Sequence, residues 1–230
     1  MPGALGRIVP PDWQHVENFP LTALTFPVRP TPAVIGVNWY HEFDRPEQDA
    51  EGHYWIARDG KLTKVRGGHC VCLKERGGPD VDQWWDFYNQ GAEGACVGFG
   101  VSRLATHLNK KVYDARWLYH EAQKIDSRPG ENYEGTTVRA GLDILRKRGH
   151  RVVGPDGVAA RPDVSEGIIA NRWAQNIEDV LRVLGYAGLD YVDILNSWGR
   201  AGYPHLVRMP ATVLDRLRRE EGEIGLVTDR

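Results

Sequence analysis

Residues 89–100 read NQGAEGACVGFG and set a single thiol, Cys96, behind small residues. Cys96 also opens a helical pattern, because apolar residues return at Val97, Val101, Leu104 and Leu108. A thiol is a strong nucleophile only as the thiolate. The unpaired N–H groups and dipole at a helix N-terminus favour that anion. A neighbouring imidazole can take the proton. Gly94 and Ala95, just before the thiol, leave room for a substrate backbone to approach. The competing use of the same residues is structural: a small buried cysteine at a tight helix entry.

Further segments carry complementary chemistry. Gln90 lies six residues before Cys96, and Asn196–Gly199 read NSWG at the end of an apolar strand pattern. Together they resemble the papain-like cysteine peptidases, in which a Gln precedes a Cys at a helix start and an Asn-Ser-Trp-Gly follows a strand. The resemblance implies that Gln90 and the Cys96 N–H hold an oxyanion, with Cys96 as nucleophile. It implies that Asn196 orients the catalytic imidazole and that Trp198 covers that hydrogen bond. An oxyanion needs a fixed donor where the charge develops. A base needs one ring nitrogen held so that the other faces the sulfur; the expectation is Nδ1–H on Asn196 and Nε2 on the thiol.

In the family the histidine lies on a strand shortly before NSWG, but the stretch GYAGLDYVDIL (185–195) has none. His107 and His120 fall in helical patterns, and His150 follows a helix stop. The fitting strand is GGHCVCL (67–73), which brings His69 and precedes the cysteine. The resemblance therefore implies a circularly permuted papain-like domain over roughly residues 33–220, possible because a triad is defined by geometry and not by chain order. Val97 stands where the family usually has an aromatic residue, and RAGYPHL replaces a second Trp-Gly; both bear on cleft shape.

The implied reaction is thiol-dependent hydrolysis of a peptide or amide bond in a protein or peptide substrate, with no cofactor. Acyl transfer would use the same residues. A non-catalytic papain-fold module, such as a phage structural component, is the reading from another class. On its strand His69 shares a face with Val71, while Cys70 and Cys72 face the other way. Those two cysteines are expected to pack into the core, away from His69. Cys70, Cys72 and Cys96 lack paired zinc-knuckle spacing, so no metal is expected.

Composition bounds the partners. A net charge of −2 over 230 residues suggests neither a nucleic-acid nor a membrane partner, and none is expected. No apolar run reaches the roughly 18 residues of a membrane span, and the first residues show no secretory h-region. Three cysteines cannot build a disulfide framework. The expected setting is cytoplasmic or virion-associated.

The elements that must position these residues come next. Residues 1–32 carry seven prolines and read as an extended arm. A single domain is expected over 33–230. Its β segment is 33–75: AVIGVNWY (33–40), a hairpin at Asp59-Gly60 within 53–65, and the strand at 67–75. The helical lobe spans 80–150, with helices from Cys96, over 113–126 and over 136–149. On the 113–126 helix Ala115, Leu118, Ala122 and Ile125 form the apolar stripe and His120 lies on the surface. Residues 154–167 read as a surface loop. The last segment, 176–230, holds a helix at 176–185, strands at 191–199 and 205–209, and a helix at 210–222. Strands, then helices, then strands predict an α+β fold, with a mid-chain helical lobe packed on a β lobe drawn from both ends of the chain.

Overall fold

In the computed structural model the described residues are 29–78, 88–129, 134–199 and 203–229. Most of the Pro-rich arm, Trp84, Trp85 and the acidic Asp80, Asp82 and Asp86 lie outside them.

The chain is α+β. Strand β1 (Ala33–Tyr40) is followed by short β2 (Glu47–Gln48) and β3 (Tyr54–Trp55), then β4 (Val65–Leu73). Helices α1 (Cys96–Asn109), α2 (Ala115–Gln123) and α3 (Val138–Arg148) come next. The chain then alternates: β5 (Ala170–Trp173), α4 (Ile177–Leu184), β6 (Tyr191–Leu195), β7 (Leu206–Pro210), α5 (Ala211–Arg219) and β8 (Glu223–Asp229). The strands form one eight-stranded sheet in the order β2-β3-β7-β6-β4-β1-β8-β5. Its pairs are antiparallel except β3 with β7.

Alternation along the strands decides which helix covers which face. Ala33, Ile35 and Val37 of β1, with Val71 and Leu73 of β4, pack against Val180, Val183 and Leu184 of α4 and Val213, Leu214 and Leu217 of α5. Val34, Cys70, Cys72 and Leu195 point the other way, onto α1, α2 and α3. The sheet is thus buried on both faces, and each fully buried aliphatic side chain contributes about 1.5–3 kcal/mol. Cys70 and Cys72 are in the core, as the strand pattern predicts. The mid-chain helices cover only one face; α4 and α5 form a second layer that the two-lobe expectation did not contain.

Local chemistry explains most element ends. Thr137 caps α3 by accepting the Ala140 N–H at 3.1 Å, and Gly149 ends it with φ +68°. Asn176 caps α4 through Asp179 N–H at 2.8 Å. Helix α1 differs: its cap residue, Ala95, has no side chain able to cap, so the first N–H groups remain open to the thiol.

Two expectations fail. The Asp59-Gly60 turn forms, with Lys61 N–H on Asp59 Oδ1 at 3.0 Å, but no hairpin grows from it. Tyr54–Trp55 pairs with β2 and, in parallel, with Arg208 of β7. The charged run after the turn offers no apolar face for a return strand to bury. Ile125 falls off the expected stripe of α2: that helix stops at Gln123, and Ile125 is 47% exposed. His120 is exposed, and residues 154–167 form a turn-rich connection with one short 3-10 turn. No helix among the described residues is long and apolar enough to cross a membrane.

Candidate active site

The register of the sheet puts His69 and Asn196 together. Strands β4 and β6 pair at Cys72↔Leu195 and Leu73↔Ile194, so the chain leaving β6 runs alongside β4 toward His69. His69 Nε2 lies 3.0 Å from Asn196 Oδ1, and both side chains are buried. The same Oδ1 accepts the Ser197 N–H at 2.7 Å, which fixes the amide with its oxygen toward the ring. Nε2 must therefore donate, and the lone pair of the neutral imidazole sits on Nδ1. This reverses the expected nitrogens. The ring reaches from β4 over the end of β6, so its distal nitrogen meets Asn196 and the proximal one is left for a proton.

Aromatic rings enclose this pair. Trp198 lies 5.2 Å from the His69 ring, tilted at 37°, and Trp39 meets the ring edge-on at 4.6 Å. Tyr203 packs on Trp198 at 4.7 Å and donates its hydroxyl to Phe43 O at 2.7 Å. Sequence reasoning named Trp198 but missed Trp39 and Tyr203. A signal for Trp39 existed: Val37 pairs with His69, so a large ring two residues along β1 lies on the same face.

The Gln90 segment is tied to the NSWG segment by main-chain bonds. Gln90 N–H donates to Ser197 O at 2.9 Å, and Gly199 N–H to Tyr88 O at 3.1 Å. Gln90 is 7% exposed, and its Nε2 gives one hydrogen to Glu93 O at 3.2 Å. A second Nε2 hydrogen remains, while Oε1 has no partner.

Cys96 sits at the N-terminus of α1, partly buried and free of any disulfide. Burial pushes its thiol above the usual range; the N–H groups of Cys70, Val97 and Cys96 itself pull the other way. Burial lowers His69 to about 4, against the opposing pull of Asn196 and Asp44. Desolvation thus favours the uncharged thiol and imidazole over a standing ion pair. His69, Gln90, Gly94 and Cys96 all line one open cleft of about 500 Å³, bounded by the backbone of β1 and β4 and by residues 134–138. Ala95 is fully buried behind it. Cys70 also lines this cleft, contrary to the expected separation from His69. The reason is that α1 lies close on β4: a Cβ at Gly100 would stand 2.8 Å from the Cys70 sulfur.

His107 and His150 lie elsewhere. His107 pairs with Glu75 at 3.0 Å in the interior. His150 Nε2 lies 2.8 Å from Ser102 Oγ, but Nδ1 accepts the Arg151 N–H at 2.9 Å. Nε2 therefore holds the hydrogen, and this imidazole has no lone pair for the serine. Both residues are wholly buried, and burial lowers His150 to about 3.

Asp49, Glu51 and His53 are the one group among the described residues close enough to hold a metal ion. Asp49 already accepts the N–H groups of Glu51 and His53 and the Trp55 indole N–H, at 2.7–3.1 Å. That carboxylate is occupied in shaping its loop.

Comparison of the chain with protein-family models gives no match, and neither do comparisons with curated proteins and with solved structures at a significant level.

Proposed function

We propose that the chain is a thiol-dependent hydrolase of peptide or amide bonds, built as a permuted papain-like domain. The observation that carries the reading is the buried His69–Asn196 hydrogen bond at the edge of the cleft that Cys96 and Gln90 also line. Three of the four residues, His69, Gln90 and Cys96, line this cleft from separate segments, and Asn196 reaches it through His69.

In this reading His69 Nδ1 takes the Cys96 proton as the sulfur attacks the substrate carbonyl carbon. The carbonyl oxygen gains the charge and is held by the free Nε2 hydrogen of Gln90 and the Cys96 N–H. The imidazolium gives its proton to the leaving nitrogen, the C–N bond breaks, and an acyl thioester remains. Water then attacks the thioester, losing a proton to His69, and the acid leaves with the thiol restored. Because burial favours the neutral pair, the proton moves with the attack. Asn196 keeps Nε2–H engaged throughout, and Trp198 and Trp39 keep water from that bond. No step requires a metal.

The test is capture of the acyl-enzyme. On mixing with a p-nitrophenyl ester of an acyl amino acid, a burst of nitrophenol is expected, with the acyl group found on the Cys96 peptide by mass spectrometry. Cys96→Ala should give neither. An adduct that water fails to release but an added amine removes would replace hydrolysis by acyl transfer. Absence of any adduct would favour a non-catalytic module.

A further inference from the structure

One nucleophile in the cleft has no part in the reaction above. Cys70 is 1% exposed, yet it lines the same cleft as Cys96, and both thiols are free. Two elements bring them together. Cys70 follows His69 on β4, with its side chain on the face that α1 covers. Cys96 opens α1 and packs against the same cluster. Against the upward push of burial, the Cys70 N–H helps to hold charge on the Cys96 sulfur, so that sulfur lies at the main chain of Cys70.

Glycines flank Cys70 and let the two elements close on each other. Its partner across the sheet is Gly36 of β1, and the α1 residue facing it is Gly100, one turn beyond Cys96. A Cβ at Gly100 would stand 2.8 Å from the Cys70 sulfur and 3.5 Å from its carbonyl carbon. The turn of α1 that lies this close to β4 is the one that begins with Cys96. Elements that meet main chain to main chain come within the roughly 4.4–6.8 Å that a disulfide needs between its Cα atoms. Cys72 shares the strand face of Cys70 but does not line the cleft.

We propose that Cys70 and Cys96 form a reversible disulfide when a hydroperoxide enters the cleft, with Cys96 oxidised first and Cys70 resolving it. The Cys96 sulfur attacks the peroxide: an S–O bond forms, the O–O bond breaks, and the leaving oxygen departs with the Cys96 proton, as water when the peroxide is hydrogen peroxide. Cys96 is then a sulfenic acid, oxidised by two electrons as the peroxide is reduced. Cys70 turns about χ1 into the cleft and attacks that sulfur. The S–S bond forms, the S–O bond breaks, and the hydroxyl leaves as water with the Cys70 proton. A reducing thiol reverses the change by exchange. The disulfide stands on the geometry alone; its effect, withholding the nucleophile and sparing it from irreversible oxidation, rests on the thiol-hydrolase reading.

The test uses the full chain, hydrogen peroxide and mass spectrometry. In the wild type, two of the three thiols are expected to disappear together, in a cross-linked peptide that joins Cys70 to Cys96, and both should return with dithiothreitol. Cys72→Ser should behave in the same way, and it assigns the link, since Cys70 and Cys72 fall in one tryptic peptide. In Cys70→Ser, Cys96 should be trapped by dimedone as the sulfenic acid and then be lost to sulfinic acid, which dithiothreitol does not restore. The wild-type cross-link needs no variant, so poor folding of Cys70→Ser leaves the test intact. A link to Cys72, a link between chains, sulfinic acid at Cys96 in the wild type in place of the link, or thiols that peroxide leaves untouched would overturn the proposal. Failure of the hydrolase reading shows separately, as absence of the acyl adduct from the reduced protein.

Discussion

Gln90 tests the site one residue at a time. Its Nε2 keeps one hydrogen on Glu93 O and has another for an oxyanion, while its Oε1 is unpaired. Truncation removes little that holds the fold together, because the bonds lacing this segment to Ser197 and Gly199 are main-chain. Gln90→Ala is therefore expected to slow formation of the acyl-enzyme by about 10²–10³-fold, with the urea midpoint nearly unchanged. An equal loss of stability and rate would mark Gln90 as a structural residue. At this scale the sequence was informative about which residues gather around one cleft and poor about how they meet. Cys96, Gln90, His69 and Asn196 were legible because each sits in a short pattern whose chemistry is specific. The ring nitrogen facing Asn196 was not, because it depends on strand register and ring reach. Trp39 and Tyr203 were missed because they act through packing against a partner distant in the chain.

Helix α1 positions the thiol, and it does so by close approach. Gly98 faces α2: a Cβ there would stand 2.5 Å from Ala115 O and 2.6 Å from the Tyr119 Cβ. Both are atoms that cannot rotate away. Gly98→Ala must push α1 off α2, and overpacking of this kind costs about 1–3 kcal/mol. The expected result is a lower urea midpoint together with slower Cys96 acylation, since the helix start moves with the helix. Unchanged stability would show that α1 and α2 can separate freely. The legibility of elements followed their length. Helices α1, α3, α4 and α5 and strands β1, β4 and β6 carry clear periods or caps and lie where the sequence puts them. Strands β5 and β8 went unnoticed: β5 has four residues, and β8 begins in the glutamate-rich run after α5. The Asp59-Gly60 hairpin failed because turn chemistry alone does not supply a buried face.

Across the whole molecule, the candidate site joins parts that are far apart in the chain. His69 comes from the N-terminal β segment, Cys96 from the mid-chain helices and Asn196 from the C-terminal strands. The sheet makes this possible, since β4 and β6 are neighbours although helices α1 to α4 and β5 lie between them in sequence. An α+β class was readable from the order of patterns, but burial of both sheet faces was not, because α4 and α5 had no assigned partner face. The central claim is that His69 and Cys96 act as one unit. Thiol with neutral imidazole and thiolate with imidazolium contain the same number of protons, so either becomes available once the first proton is lost. The most direct measurement is the rate of Cys96 alkylation by iodoacetamide, from about pH 4 to about pH 10, in the wild type and in His69→Ala. The modified peptide is identified by mass spectrometry, and folding of both proteins is checked by circular dichroism. In the wild type the rate should climb on an acid limb set by His69, which burial lowers to about 4, and stay high through neutrality. In His69→Ala it should rise only in the alkaline range, since burial pushes the lone thiol upward. Two coincident profiles, both rising only in alkali, would contradict the pairing of His69 with Cys96.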